Sequence, residues 1–386
     1  LERRTNYQPT KKIMKKIILI SVFFVLGFNP AEAATLAVPG NYATIQGAVN
    51  AAGPGDTVLV SLGTYNERVN ISKSGSTGNL ITVEASGNVE MKGFYITGDY
   101  VEVINFIIKN SPDTGVDVWA SNCVVKHNKI SYVYNQGVQV FGNNNLVEGN
   151  DISHVLLDND DADGIRFFGN GNILRDNYIH DIYQTEAGLD AHVDCFQTFG
   201  GSWPAANNTI VEGNICMNDK GHSSIGHQCL IYSSIGRENS GLIYRNNVCQ
   251  AQTWSGVLIF SPGIPGVEIY NNVFLDSIRS QAIYVEGPQP KIYNNIFALR
   301  SGAVPYNGAG VSSALLLDYN LWNIGTLNEP HGISNRDPLF VDQDNLDYSV
   351  MDDSPACGNG LNGVDIGAYP CGDKPPLPPT NLRIVP

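Results

Sequence analysis

Positive charge is scarce in this chain. Across 386 residues, 23 Lys and Arg stand against 37 Asp and Glu, a formal net charge of −14. A surface of that sign excludes unaided binding to nucleic acid, whose backbone requires basic neutralisation. It admits an acidic polymer only where a cation or a local basic patch intervenes. Long apolar runs are equally scarce. The run Ile17 to Phe28 follows Met14-Lys15-Lys16 and precedes Ala31-Glu32-Ala33, small residues two apart. It is too short to span a bilayer and reads as a signal peptide cleaved before Ala34, with Leu1 to Ile13 as upstream translation. No second run is long enough to span. Residues 1–33 are therefore set aside, and the remainder is expected to be secreted: extracellular, periplasmic or cell-surface.

Cysteine is too sparse, at seven residues, for a disulfide-scaffolded mini-protein, and the chain is long enough not to need one. No C-x₂-C spacing is present, which disfavours a zinc site. Cys357 and Cys371 bracket a Gly-rich terminal loop and can staple it. Cys216 and Cys249 fall in one column of the repeat described next; stacking as small core residues, bonding to each other, or neither, all stay open. The odd count leaves at least one cysteine unpaired or intermolecular. Helical periodicity is nearly absent as well. The one clear segment is Tyr42 to Ala52, where Ile45, Ala48, Val49 and Ala52 share a face before Gly53-Pro54-Gly55-Asp56 ends it.

Repeats are what the chain has. Short apolar alternations around an Asn occur at Val124–Ile130, Leu146–Ile152, Leu174–Ile179, Val211–Ile215, Tyr244–Val248, Ile269–Val273 and Ile292–Ile296, with Asn105 opening the series and Asn320 ending it weakly. One Asn per coil suits a sharp corner, because Asn tolerates left-handed backbone and stacked amides can bond along a solenoid. A second landmark begins at Gly115, Gly137, Gly164, Cys195, Gln228, Gly256 and Ala282, where alternate Val, Ile and Phe point inward. Asp117, Gln139, Arg166 and Gln197 then point outward, stacked at the roughly 4.8 Å spacing of paired strands. These periods predict an all-β fold over residues 34–372: a right-handed parallel β-helix, a single-stranded solenoid of roughly ten coils with a short N-terminal capping helix. Asp365-Ile366-Gly367-Ala368-Tyr369 is expected to form a final strand that closes the far end. Residues 373–386 read as a proline-rich tail or linker, with a further C-terminal domain expected beyond it.

The motifs Tyr42-Ala43-Thr44-Ile45-Gln46, Pro54-Gly55-Asp56-Thr57-Val58, Gly63-Thr64-Tyr65 with Glu67, and Ser74-Gly75-Ser76 resemble the start of chondroitinase-B-like proteins and certain pectate lyases. Asp337-Pro338-Leu339-Phe340, Ser354-Pro355-Ala356 and Asp365–Ala368 are similar to the ending of the same secreted, carbohydrate-active β-helix superfamily. The resemblance implies the architecture and a carbohydrate ligand. Its motifs lie in caps and corners, so they carry little about the reaction. Gly188–Asp194 is also similar to the Asp-Pro-His-Asp signature of mannuronan epimerases, but lacks the proline and carries an extra residue.

The site is expected where the coil loses its regularity. From the corner Asn to the next landmark is 9 residues for Asn128 to Gly137 and Asn247 to Gly256, but 14, 18 and 14 from Asn150, Asn177 and Asn214. Three successive coils thus carry long loops at one corner, above a rigid ladder. The residue before each landmark forms the column Gln136, Asp163, Asp194, His227, Ser255. Asp163 and Asp194 on adjacent coils would lie about 5 Å apart, close enough to hold a cation or share a proton. Asp163, Arg166, Asp194, Gln197 and His227 are expected to line one exposed patch, with His192 over it. As catalytic candidates we take Arg166, His192, Asp194, His227, Lys220 and Asp163. Gln139, Gln197, His222, Trp203 and Tyr183 are candidates for binding substrate, and Phe199 and Trp254 for stacking on sugars. The cluster Asp158, Asp160, Asp161 and Asp163, with Asp194, is a candidate site for Ca²⁺, because close carboxylates repel unless solvated or bound to a hard cation.

An enzyme acting on an extracellular polysaccharide is the leading expectation, with β-elimination of a uronic-acid polymer as its chemistry. The alternatives are a glycoside hydrolase that uses Asp163 and Asp194 as its carboxyl pair, and a non-catalytic carbohydrate-binding or adhesin solenoid. Arg166, placed outward between inward Ile165 and Phe167, is expected to be removable with little loss of stability.

Overall fold

The computed structural model describes residues 33–156, 161–182, 193–217, 228–233, 240–250, 255–260, 265–275 and 280–372. Three short strands per coil stack into three parallel faces. One face is a ladder of ten strands running from Arg68–Ile71 to Val304–Asn307. A second runs from Val101–Ile104 to Leu316–Asp318, and a third from Ile107–Lys109 to Leu321–Trp322. The latter two are joined at their start by the long strand Ile81–Met91, which pairs with both. Alternation explains each strand. In the ladder, Val116 and Val118, Val138 and Val140, Ile165 and Phe167, Val257 and Ile259, and Ile283 and Val285 are all fully buried in one continuous core. Glycine opens several of these strands because a β-carbon at Gly115, Gly137 or Gly164 would sit on the γ-methyl of Ile130, Ile152 or Ile179 across the narrow coil.

The Asn column holds the stack together. Asn128, Asn150, Asn177, Asn214, Asn247, Asn272, Asn295 and Asn320 are at most 1% exposed. Each amide oxygen accepts from the backbone N–H of the preceding column member, for instance Asn150 N–H to Asn177 Oδ1 at 3.0 Å. Each side-chain NH₂ donates to the next Asn, as Asn177 Nδ2 does to Asn214 Oδ1 at 3.0 Å, and to a carbonyl of an earlier coil, here Val147 O at 3.0 Å. Such polarised chains satisfy backbone groups that the corner would otherwise strand. Two expectations need correction. The left-handed residue is the one before the column, at His127, Gly149, Asp176, Gly213, Asn246, Asn271, Asn294 and Tyr319. Asn105 belongs to that position, and Phe106 occupies the column slot, donating its N–H to Asn128 Oδ1. Asn320 is no weak ending: Glu329 accepts from its N–H at 3.1 Å and its NH₂ at 3.0 Å.

The N-terminal helix is shorter than its apolar pattern, spanning Ile45–Ala51, because Thr44 takes the N-cap and accepts from Gly47 N–H. The Glu67 carboxylate receives the next free amides, Ile45 N–H at 3.1 Å and Gln46 N–H at 3.0 Å, so helix and first coil are bound together. At the other end the expected closing strand does not form. Phe340–Asp342 and Asp347–Val350 make an antiparallel pair. Ile366, Ala368 and Tyr369 are buried in irregular backbone against Ile215, Val248, Val273 and Ile296 of the third face. Leu361 N–H and Gly367 N–H bond to Asn294, far down the coil. The segment therefore turns back along the flank, since the apolar residues on that outer face require cover. No helix among the described residues is long and apolar enough to cross a membrane.

Cys216 and Cys249 are register partners, as their shared column requires. Each, however, bonds across the coil interior: Cys195 to Cys216 and Cys229 to Cys249. Cys357 bonds to Cys371 as expected. Cys123 is free and buried, and burial pushes its thiol up to about 11, so it is unreactive.

On the third face, His180 sits between two carboxylates, Nε2 at 2.9 Å from Asp151 and Nδ1 at 2.8 Å from Asp181, stacked on Tyr178 and with Lys129 on the far side of Asp151. Burial alone would lower its pKa, but the two carboxylates raise it above 6.5. Burial would likewise raise Asp151, yet its bonds to His180 and Lys129 hold it below 3.8. The His180 contribution is complete below pH 6.5 and lost as pH rises through the folded value; that of Asp151 is lost on acidification. His180→Gln is therefore expected to cost more melting temperature at about pH 5.5 than at about pH 8.5. An equal loss at both would show that the imidazolium is not the stabilising species.

Candidate functional site

Four of the five residues expected on one patch, Asp163, Arg166, Asp194 and Gln197, meet at one spot on the ladder, with Gln139, Asp161 and Phe199 beside them. The strand Asp163–Phe167 lies between Gln136–Val140 and Phe196–Thr198, in a register that places Arg166 beside Gln139 on one side and Gln197 on the other. Arg166 reaches back along its own strand. Its Nε and Nη2 donate to Asp163 Oδ2 at 2.9 and 2.6 Å, and Nη2 donates to Asp161 Oδ2 at 2.9 Å. The guanidinium also lies over the Phe199 ring, 5.3 Å from its centroid. Gln197 Nε2 donates weakly to Asp194 Oδ2 at 3.4 Å, and Gln228 N–H donates to Asp194 Oδ1 at 2.8 Å.

Burial corrects the expectation of an exposed patch. Asp163 and Asp194 are fully buried and Gln197 is 5% exposed; the Arg166 side chain is 13% exposed and is the group that faces outward. The carboxylates belong instead to a buried polar column at the ladder edge: Thr114, Gln136, Asp163, Asp194, Gln228, Ser255 and Gln281. Gln228, not His227, is the column member, because Phe196 pairs with Leu230 and Gln197 with Ile231. The coil is one residue longer before this strand than its landmark suggests. Ile231, rather than Leu230, therefore faces outward.

Two buried carboxylates with one guanidinium between them are under-neutralised. Burial pushes the Asp163 carboxyl up to about 7, against the pull of Arg166 and with repulsion from Asp161. Burial, and then the Asp163 charge, raise Asp194 well above the ordinary range. The charge of each makes the other harder to ionise, so the two carboxyls titrate together rather than independently. Asp163 Oδ1 and Gln197 Oε1 are buried with no hydrogen-bond partner among the described residues. Among the described residues no group of three or more His, Cys, Asp or Glu side chains is arranged to hold a metal. An orphaned carboxylate oxygen beside a second buried carboxylate is nevertheless the donor chemistry a hard cation seeks.

Arg166 forms one end of a cavity of about 340 Å³ lined also by Asp113, Thr114, Asp117, Asn135, Gln136, Gln139 and Asp161. The opening extends toward the N-terminal coils. Asp113, Thr114, Asn135 and Gln136 were not among the expected site residues; Gln136 heads the column that the sequence lays out, and the other three come from corners before the ladder strands, where the coil is regular and offers no signal. Trp203 lies outside this cavity, in an aromatic cluster with Phe141 and Phe168. His154 stacks on Tyr132 and is not part of the cavity wall. Asp158, Asp160, Tyr183, His192, Lys220, His222, His227 and Trp254 lie outside the described residues.

Parallel coils with an Asn column, a cross-coil core and a polar cleft on the ladder define the class: a right-handed parallel β-helix of about ten turns. Residues 114–297 match the family model for the right handed beta helix region. Among solved structures, the crystal structure of pectate lyase Pel9A is similar at a TM-score of 0.64 and 16% identity, over 88% of this chain and 97% of that one. The complex structure of XylC with xylose is similar at a TM-score of 0.52 and 10% identity, over 80% of this chain and 87% of that one. At such identities the likeness shows the fold. No curated protein matches the sequence.

Proposed function

We propose that the chain is a secreted polysaccharide lyase that cleaves a uronic-acid polymer by β-elimination. The observation that supports this is Arg166: a partly buried guanidinium at the end of a polar cleft, on a strand ladder too stiff to let it wander. In the reaction a base removes the C5 proton of the uronate, the C4–C5 double bond forms, and the C4–O bond breaks with a proton delivered to the leaving oxygen. The charge that grows on the carboxylate is what Arg166 would stabilise through its outward edge, since Nη1 carries no partner among the described residues. Gln139, on the cavity wall, flanks it as a ligand for hydroxyl or carboxylate oxygens, and Gln197 flanks it on the other side, buried against Asp194. His192, Lys220 and His227 are the candidates for the base, and His222 and Tyr183 for binding. Asp163 and Asp194, with Asp161, Asp158 and Asp160, would hold Ca²⁺, whose chemistry there is to neutralise the same substrate carboxylate.

The hydrolytic alternative is weaker. A carboxyl pair serving as nucleophile and acid must touch the anomeric carbon and glycosidic oxygen, whereas Asp163 and Asp194 are fully buried and Asp163 Oδ2 is occupied by Arg166. A panel of uronate and neutral polymers, read by ultraviolet absorbance of unsaturated ends and by reducing ends, decides the matter. Absorbance with a uronate polymer is the expected result. Reducing ends without absorbance would establish hydrolysis, and binding without cleavage the adhesin reading. Chelation is expected to abolish turnover. Added Ca²⁺ should restore it and raise the melting temperature most above pH 7, where the buried Asp163 carboxylate would otherwise be ionised and under-neutralised. Turnover indifferent to chelator removes the cation from the proposal and leaves Arg166 as the neutralising group.

A further inference from the structure

Past the end of the ladder strands, four successive coils place an aromatic residue at the same position: Trp119, Phe141, Phe168 and Phe199. Their rings form a continuous series. Trp119 stacks on Phe141 at 4.0 Å between centroids, Phe141 on Phe168 at 5.0 Å, and Phe168 meets Phe199 edge-on at 5.2 Å. Trp203 covers the middle of the series, 4.8 Å from Phe141 and 6.0 Å from Trp119. Phe168 is fully buried and anchors the row, but Trp119 is 43% and Trp203 37% exposed. Two large aromatic rings left in water side by side are an uncommon feature that marks a contact surface.

The row is continuous with the cleft at both ends. Phe199 lies under the Arg166 guanidinium. At the other end, Trp119 follows by two residues Asp117, a cleft-wall residue that accepts from Gln139 Nε2 at 3.2 Å. Stacking on Phe141 and the edge of Trp203 hold the Trp119 ring before any ligand arrives, so little side-chain entropy remains to be lost on binding. We propose that Trp119 and Trp203 form a stacking subsite for pyranose rings of the polymer whose uronate carboxylate meets Arg166. This rests on the lyase reading and deepens it. The occupant follows from the chemistry. Aromatic faces bind the C–H faces of sugar rings, and in a protein of net charge −14 they add affinity for a polyanion without requiring more cations. The polymer then lies along the solenoid axis, crossing coils from Arg166 toward the N-terminus. From the coil of Phe199 to that of Trp119 is three strand steps, about 14 Å, enough for a few sugar units.

Trp119→Ala and Trp203→Ala test this, because both residues are substantially exposed. The full-length protein is run in native gels containing polygalacturonate, alginate or xylan, and KM and kcat are measured on any polymer that is cleaved. The expected result is that a uronate polymer retards the wild type, that each Trp variant binds about tenfold more weakly with KM raised to match, and that kcat stays within twofold. Melting temperatures near wild type exclude a folding defect; should either drop, Trp→Phe at the same position must restore both stability and binding. Unchanged retardation and KM in both Trp variants overturn the subsite while leaving a cleaving enzyme a lyase. Tryptophan-dependent retardation without unsaturated products keeps the subsite and rejects the lyase reading. A wild type retarded by none of the three polymers overturns the subsite.

Discussion

Arg166→Ala is expected to lower kcat on the cleaved polymer at least a hundredfold and to destabilise the fold, the second effect increasing with pH. The first expectation follows from removing the group that faces the developing charge, a contact worth about 3 kcal/mol in comparable sites. The second departs from what the alternation of Ile165 and Phe167 suggests, which is that an outward side chain can be deleted at little cost. Arg166 is the cation bonded to a fully buried Asp163, and removing one partner of a buried pair typically costs about 3–5 kcal/mol. The carboxyl can escape part of that cost by taking a proton. Its folded pKa, already raised to about 7, will rise further without the guanidinium. Since a raised carboxyl pKa favours the folded state only while the proton is held, the deficit should be small at about pH 5.5 and large at about pH 8.5. Urea melts at both values measure it, and Arg166→Lys should recover more stability than turnover, because a point charge does not reproduce the planar fork. Full turnover in Arg166→Ala sinks the role in chemistry, and a deficit independent of pH sinks the buried pair.

Asn177→Ala should be the most damaging single change to the scaffold. It removes the acceptor for Asn150 N–H and Nδ2 and the donor to Val147 O and Asn214 Oδ1, all of them buried. Asn150 Nδ2 keeps other partners in Val125 O and Glu148 O, but the Asn150 amide is left with none. The orphaned Asn150 N–H at about 1–3 kcal/mol, with the lost bonds to Val147 O and Asn214 Oδ1 at about 1 kcal/mol each, gives a loss of roughly 3–5 kcal/mol. Glu329→Gln at the end of the same column is the control. It keeps one acceptor oxygen but turns an NH₂ toward the second Asn320 donor, so its effect should be smaller, about 1–2 kcal/mol. Chemical denaturation followed by circular dichroism compares the two. Near-equal midpoints would mean that the column is ornament to a stack held by its apolar core.

Residue order alone determined the solenoid, because a coil is a local object. Each strand is short, its alternation is read within a few residues, and the Asn column and inward Val, Ile and Phe recur at nearly constant spacing. The same regularity identified the coils on which Arg166, Asp163 and Asp194 lie, since their loops break the count. Where spacing varies, local reading fails. An insertion before Leu230 hides a one-residue offset, and an offset of one exchanges inward and outward positions, so His227 gave way to Gln228. Contacts through the coil were equally out of reach. Cys195–Cys216 and Cys229–Cys249 join residues on different faces, and no column of the repeat contains both members of a pair. Of the aromatic row, sequence reading singled out only Phe199, with Trp203 beside it; the stacking of the row and the exposure of Trp119 and Trp203 arise only when strands come into register. Tertiary structure likewise decided the state of the site. Sequence placed two carboxylates on adjacent coils; whether they are solvated, or buried and made hard to ionise beside Arg166, depends on what surrounds them in three dimensions. Desolvation is a property of the whole fold, and periodicity does not encode it.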